Sequence, residues 1–397
     1  MISSNFDLSA VDTAVGITYP TGFLASGVAA GLKASGALDL ALVQNQGPEF
    51  AAAAVTTTNR VFAAPVAWTR EAISDGRITA VVLNSGGANA CTGSEGLADS
   101  EKTAQRVADL LGADKNDVAV CSTGLIGERL PMEKLLAGVE VAAGELNTHG
   151  GTAAAKAIMT TDTHHKQAGA AGDGYRIGGM AKGAGMLAPG LATMLVVLTT
   201  DAQLTSDELS ELLPAATSVT FDRIDSDGCM STNDTVLLLA NGSSGVRPDL
   251  EEFSIALKQV CASLARQLIG DAEGAKHDIE ITVAGAASEA EALEVAREIA
   301  RSNLFKCAIF GEDPNWGRVL SSIGVTKAAF DADKIDVSFN GVQVCKGGQI
   351  GEPRDLVDLG SRQCLVDVQL NAGDVQATIL TNDLTYDYVK ENAEYSS

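Results

Sequence analysis

The stretch Lys182-Gly-Ala-Gly-Met-Leu-Ala-Pro-Gly-Leu-Ala-Thr193-Met-Leu-Val-Val-Leu-Thr-Thr-Asp201 decides how this 397-residue chain is read. Small residues and Pro189 lead up to one hydroxyl, and an apolar, β-prone run from Met194 to Leu198 follows it directly. No charge lies between Lys182 and Asp201, so a loop delivers Thr193 onto the first position of a buried strand. Two readings stay open on residue types alone. In the first, the segment is a Gly-rich hairpin feeding a core strand. In the second, the chain is cut before Thr193 and the threonine becomes a nucleophile with its own base. A freed α-amino group has a pKa of about 7.7–8.0, so much of it is neutral near pH 7, and a threonine hydroxyl paired with such an amine is a known nucleophile. The small flanking residues would let the hydroxyl attack the Ala192 carbonyl.

The glycines around Lys182 do not make a phosphate loop. That pattern needs lysine after the final glycine and a Ser or Thr next, whereas Lys182 precedes Gly183 and Ala184 follows. Gly183-x-Gly185-x-x-Ala188 imitates a dinucleotide turn, but Pro189 and Gly190 interrupt the helix that should follow.

Working outward, strand-like and helix-like runs mix along the chain. Ile78–Leu83 reads as a buried strand entering the turn Asn84-Ser-Gly-Gly-Ala-Asn89, and a helix is expected from about Ser100 to Leu111. Asp117–Cys121 is a second strand ending at Ser122-Thr123-Gly124, and Pro131 opens a helix. Phe253, Leu257, Val260, Leu264 and Leu268 form one face of an amphipathic helix that Gly270 stops. Ile279, Ile281 and Val283 alternate as a strand, and Ser288-x-x-Glu291 reads as a capping box. Asn340-Gly341 marks a hairpin between Ile335–Phe339 and Val342–Val344, and Val366–Leu370 with Val375–Ile379 looks like another pair. Hairpins and helices together favour an α+β architecture, a layered sandwich of sheets and helices.

The bulk composition excludes several functions. A formal net charge of −23 repels phosphate backbones and anionic membranes, so no nucleic-acid partner is expected. No uncharged apolar run approaches the roughly 20 residues that span a bilayer, and the N-terminus does not read as a signal peptide, so a cytoplasmic enzyme is expected. Seven cysteines without a CxxC pair and four histidines without HExxH predict no metal site, no disulfide framework and buried thiols.

Other segments could carry chemistry. Acyl transfer needs donors for an oxyanion, and Thr123 with Gly124 at a strand end can supply a hydroxyl and a closely approaching N–H; an ordinary turn is the bland account. Met159-Thr160-Thr161-Asp162-Thr163 reads as a local cap, Asp271-Ala-Glu273-Gly274 as a solvated turn, and the segment around Trp316 and Arg318 as a buried turn with an Arg–carboxylate pair.

Read in order, these segments resemble the ornithine acetyltransferase (glutamate N-acetyltransferase) family of arginine biosynthesis. The resemblance runs through Pro20-Thr-Gly-Phe-Leu-Ala-Ser-Gly27, Asn84–Gly93, Ser122-Thr-Gly124, Met159–Thr163, Gly178–Gly183, Leu191-Ala-Thr-Met-Leu195, Ser231-Thr-Asn-Asp-Thr235, Glu273-Gly-Ala275, Gly311–Arg318 and Asn392-Ala-Glu-Tyr395. It implies self-cleavage between Ala192 and Thr193 into an α chain of 1–192 and a β chain of 193–397, the latter with a smaller unit from about residue 280. Thr193 would then take acetyl from N-acetylornithine, release ornithine and acetylate glutamate, in an α2β2 assembly without a cofactor; acetyl-CoA is a second acetyl donor that some members use. Thr123 and Gly124 match the oxyanion pair of the family. Thr160, Lys182, Thr193, Glu273, Asn392 and Ser397 match its substrate-contacting positions. Lys182 suits an anionic group, and Glu273 a cation or a proton relay. The alternative chemistry for the same nucleophile is an amidase or aminopeptidase that passes the acyl group to water.

Overall fold

The computed structural model describes residues 6–188 and 194–394. Ala192, Thr193 and Ser397 therefore lie outside the described residues. The chain divides into two compact units, one of Phe6–Asp222 with Cys229–Leu268, the other of Arg223–Gly228 with the chain from Ile269 onward.

In the larger unit the elements run β1 (Phe23–Val28), β2 (Leu40–Asn45), β3 (Ala51–Thr56), α1 (Ala64–Ala72), β4 (Ala80–Asn84), α2 (Gly93–Leu111) and β5 (Val118–Ser122). There follow α3 (Met132–Gly144), α4 (Gly151–Ala157), β6 (Lys166–Ala171), β7 (Arg176–Lys182), β8 (Leu195–Thr200), α5 (Ser206–Thr217), β9 (Thr235–Ala240) and α6 (Leu250–Gly270). Two sheets result, ordered β1-β2-β4-β5 and β3-β9-β8-β7-β6. Their inner faces share one core with α4, in which Phe23, Val43, Val81 and Leu83 of the first sheet join Met180, Leu195, Val197 and Leu237 of the second. The outer face of the first sheet, with Leu40, Leu42, Val82 and Val120, packs on Val107 of α2 and on Leu135 and Val139 of α3. Beyond the second sheet, α6 comes so close that a Cβ on Gly179 would stand 3.0 Å from Leu264 Cδ1. The layers are helix, sheet, sheet, helix, as the mixture of periodicities predicts.

The run after residue 193 is a strand buried along its whole length. It pairs antiparallel with β7, Lys182 opposite Leu195, and parallel with β9, Leu195 opposite Thr235. A strand covered on both faces needs no polar alternation, which is why Met194–Leu198 reads as continuous apolar sequence. One boundary moves. The helix expected from Ser100 begins at Gly93, because Asn89 and Thr92 fold onto its first turn and Arg129 grips Asp99 with two nitrogens at 2.8–3.0 Å. A full capping box also occurs at Thr205 and Glu208 of α5.

In the smaller unit the order is β10 (Asp278–Ala286), α7 (Glu289–Ala300), α8 (Asn303–Phe310), α9 (Trp316–Ile323), β11 (Asp336–Phe339), β12 (Val342–Lys346), β13 (Gln349–Ile350), β14 (Gln363–Gln369), β15 (Val375–Asn382) and α10 (Tyr386–Glu394). One mixed sheet forms, ordered β13-β12-β11-β14-β10-β15, with a core from Ile279, Ile281, Val295, Ile299, Phe305, Val337, Phe339, Val366 and Ile379. The Asn340-Gly341 hairpin forms, both turn residues at positive φ (46° and 84°). The second expected pair does not. β10 lies between β14 and β15, parallel to the former and antiparallel to the latter, because its apolar face completes the core from both sides. Ser288 caps α7, but the Glu291 carboxylate accepts from Ala329 N–H at 3.0 Å and does not close the box. Trp316 opens a helix capped by Asn315, and Arg318 donates to the Leu304 carbonyl, with no carboxylate paired to it among the described residues. No disulfide forms among the described cysteines; Cys121, Cys261, Cys345 and Cys364 are buried as expected, whereas Cys91, Cys229 and Cys307 are exposed.

Candidate active site

β5 ends at Ser122 and passes the chain to Thr123, which is 2% exposed. The Thr123 N–H donates to Asn84 C=O at 3.0 Å, and its own C=O accepts from Gly87 N–H at 3.0 Å. The backbone is thus committed and the hydroxyl is left for chemistry. Lys182 Nζ donates to Thr123 Oγ1 at 3.2 Å. An ammonium only donates, so the hydroxyl keeps its own hydrogen for another acceptor, and the contact strengthens it as a donor. Gly124 sits at φ 134°, and a Cβ there would meet Gly87 N at 2.7 Å, so only glycine fits. No described residue accepts the Gly124 N–H. A hydroxyl and an adjacent uncommitted N–H are the donors that a developing oxyanion requires. Asn233 braces this corner, its amide donating to Ala88 C=O at 2.6 Å and Ser122 C=O at 2.8 Å.

Lys182 closes β7 and is 1% exposed. Asp162 supplies a nearby negative charge: its carboxylate accepts from Lys166 Nζ at 2.6 Å, Gly183 N–H at 2.7 Å and Thr160 N–H at 2.9 Å. Burial works to raise its pKa, but Lys182 and Lys166, with these donors, outweigh that and hold it at about 2. Thr160 thus joins the Lys182 neighbourhood through Asp162. At the other end of the loop, the Met194 N–H donates to Asp234 Oδ1 at 3.0 Å. Asp234 is fully buried, with the Ser231 hydroxyl beside its carboxyl group, and Oδ2 has no close hydrogen-bond partner among the described residues. Burial pushes its carboxyl well above the usual carboxylate range, against the opposing influence of Met194, Ser231 and Lys182.

Glu273 and Asn392 belong to the smaller unit. Asn392 Nδ2 donates to Glu273 Oε2 at 2.9 Å and to Tyr388 C=O at 3.0 Å. Gly274, at φ 63°, lets α10 approach, since a Cβ there would meet Tyr388 N at 2.3 Å. Glu273 lines a cavity of about 70 Å³ with Arg301, Lys306 and Asp383, in which burial pushes the Lys306 ammonium down to about 8. Neither Asp271-Ala-Glu273 nor the tail helix is therefore a simple solvated end.

The structure thus joins Thr123, Gly124, Lys182 and Thr160 in one unit, and Glu273 with Asn392 in the other. Sequence reasoning missed Asp234, Asn233, Asp162 and Lys166 as site residues. Their only local signals were the polar clusters Ser231–Thr235 and Met159–Thr163. Among the described residues no group of three or more His, Cys, Asp or Glu is placed to hold a metal ion. No helix among them is long and apolar enough to cross a membrane.

A four-layer sandwich presenting a lysine-polarised hydroxyl beside an uncommitted glycine N–H defines a protein built for acyl transfer. The chain belongs to the ArgJ family, whose profile matches residues 24–397. The Streptomyces coelicolor arginine biosynthesis bifunctional protein ArgJ is 61% identical over 381 residues, covering 96% of this chain and all of that protein. The Mycobacterium tuberculosis protein of the same name is 54% identical over 394 residues, covering 97% of both chains. A solved chain of the M. tuberculosis ornithine acetyltransferase complexed with ornithine is 55% identical, covers 47% of this chain and 98% of that one, and superposes with a TM-score of 0.45.

Proposed function

We propose that this chain cuts itself between Ala192 and Thr193, and that Thr193 then carries acetyl from N-acetylornithine to glutamate. The observation that carries the reading is the Lys182–Thr123 contact beside Gly124, at the end of the strand paired with the one Thr193 precedes. In self-cleavage, Thr193 Oγ attacks the Ala192 carbonyl, the C–N bond breaks, and the nitrogen takes the hydroxyl proton. Water then hydrolyses the ester, leaving an Ala192 carboxylate and a Thr193 amine. In turnover the amine accepts the Thr193 hydroxyl proton as the oxygen attacks the acetyl group. Thr123 Oγ–H and Gly124 N–H face the oxyanion, and the proton passes to the departing ornithine nitrogen. Glutamate reverses the sequence, so the kinetics are ping-pong. Lys182 suits an anionic substrate group and Glu273 a cationic group or a proton relay, while Thr160, Asn392 and Ser397 match the other substrate-contacting positions that the family resemblance implies. The acetyl group travels on Thr193, so no cofactor enters.

The test is denaturing mass spectrometry of wild type and Thr193→Ala. Wild type should give two fragments meeting at Ala192/Thr193 and, with N-acetylornithine alone, an acetyl adduct on the second. Thr193→Ala should stay intact and lose activity. Turnover by an intact wild-type chain would refute cleavage, and acetate release without any glutamate requirement would replace transfer with hydrolysis.

A further inference from the structure

Thr160 lies in the loop between α4 and β6, and its hydroxyl pairs with no described residue. Its place is therefore set by the main chain that carries it. One peptide group there, Met159 C=O with Thr160 N–H, is gripped on both sides. The N–H donates to Asp162 Oδ2 at 2.9 Å, and the C=O accepts from Lys33 Nζ at 2.7 Å. The positive end of the peptide dipole thus faces a carboxylate, and the negative end an ammonium. Hydrogen bonds to ionised groups are the stronger kind. Turning this peptide over would lose both at once and set each charge against the wrong end of the dipole.

Lys33 comes from 126 residues earlier in the chain, and its own loop, between β1 and β2, is pinned. Asp39, 0% exposed, accepts from the N–H groups of Ala30, Leu32 and Lys33 at 2.6, 2.6 and 2.9 Å. A second bond from Lys33 Nζ goes to Leu38 C=O at 3.1 Å. The turn that frames Thr123 joins the same assembly. Ser85 N–H donates to Asp39 C=O at 3.0 Å, and its hydroxyl donates to Ala157 C=O at 2.6 Å. A Cβ on Gly86 would stand 2.2 Å from Leu32 Cβ, so loop and turn are in direct contact. The corner of Thr123 and Gly124 thus shares one frame with the segment that carries Thr160, and Lys33 ties that frame to the Thr160 peptide.

Ordering a lysine stem and half-burying its charge both cost free energy. Burial lowers the pKa of the Lys33 ammonium, and Asp39 and Asp162 oppose that. We infer that Lys33 is a positioning residue for Thr160: opposing Asp162 across the Met159–Thr160 peptide, it holds the threonine hydroxyl where that group meets the amino-acid substrate. This rests on the reading of Thr160 as a substrate contact. Lys33 acts through Thr160 and does not itself touch the substrate. A hydroxyl fixed in this way binds ground state and transition state alike, so its loss raises KM and leaves kcat nearly unchanged.

The experiment is a double-mutant cycle on the cut protein, comparing wild type, Lys33→Met, Thr160→Ala and the double variant. Methionine keeps an unbranched stem and removes the ammonium. Each single variant should raise KM for N-acetylornithine about tenfold, with kcat changed less than about threefold. The double variant should also stay near tenfold, because once the hydroxyl is gone there is nothing left for Lys33 to position. Lys33→Arg, which keeps charge and donors, should recover most of the loss. A double variant near the product of the singles, about a hundredfold, overturns the inference, since Lys33 would then act independently of Thr160. Wild-type KM in Lys33→Met overturns it too. Should Lys33→Met not fold, Lys33→Gln, which keeps one neutral donor, takes its place in the cycle under the same criteria. Wild-type KM in Thr160→Ala would overturn the substrate contact and this inference together, whereas a raised KM there beside an unaffected Lys33→Met overturns this inference alone.

Discussion

Thr123 has one group to spare and three commitments. Its N–H and C=O bind the turn around Asn84 and Gly87, and its oxygen receives Lys182. Thr123→Val keeps the shape and the backbone bonds but removes the hydroxyl hydrogen. Loss of one oxyanion donor costs about 10²–10³ in kcat. Steady-state kinetics on the cut variant should show that loss with KM changed less than about threefold, and Thr123→Ser should recover most of it. A Val variant with undiminished kcat would remove Thr123 from the oxyanion role. Thr123 and Gly124 could be singled out in sequence because a hydroxyl and a glycine at a strand end are neighbours in the chain. Asp234 could not, because its partner Met194 is 40 residues away.

At the scale of elements, the β7–β8 hairpin is the frame of the site, and Asp162 fixes its entry by holding Gly183 and Lys166 together. Its folded pKa of about 2 lies below the 3.8 of an ordinary aspartate. A depressed folded pKa stabilises the protein above the unfolded value, and the gain is lost as pH falls through the folded one. Asp162 should therefore contribute on the order of 2 kcal/mol at neutral pH, undiminished down to about pH 4 and vanishing towards pH 2. Asp162→Asn also takes the facing negative charge away from the Lys166 ammonium, which is 0% exposed, so the total cost should reach about 3–5 kcal/mol. Denaturant unfolding of both proteins across pH 7 to 2 measures this. The stability gap should stay level above pH 4 and narrow below it; a gap that widens in acid would contradict the assignment. Legibility follows the same division. The Asn340-Gly341 hairpin was readable because its turn and both strands are contiguous. The pairing of β14 with β15 was misread because β10, which separates them, comes from far earlier in the chain.

At the scale of the whole molecule, the sheet that contains β8 is shared across the proposed cut. Its order is β3-β9-β8-β7-β6, with β3, β6 and β7 before residue 192 and β8 and β9 after it. Two hydrogen-bonded seams, β3 with β9 and β7 with β8, would join the fragments, each with six paired positions. The core beneath them mixes Met180 with Leu195, Val197 and Leu237. Breaking one bond in the connection between β7 and β8 removes none of these contacts, so the cut fragments should stay together on native size-exclusion chromatography and part only in denaturant. Unfolding, however, changes its molecularity. A folded cut molecule releases two chains, so its transition midpoint should rise with protein concentration, whereas that of uncut Thr193→Ala should show no such dependence at the same oligomeric state. Scanning both proteins over a hundredfold range of concentration separates the cases. Fragments that part on a native column would mean that the second sheet is not the seam, and a midpoint independent of concentration in the cut protein would mean that its chains do not dissociate on unfolding.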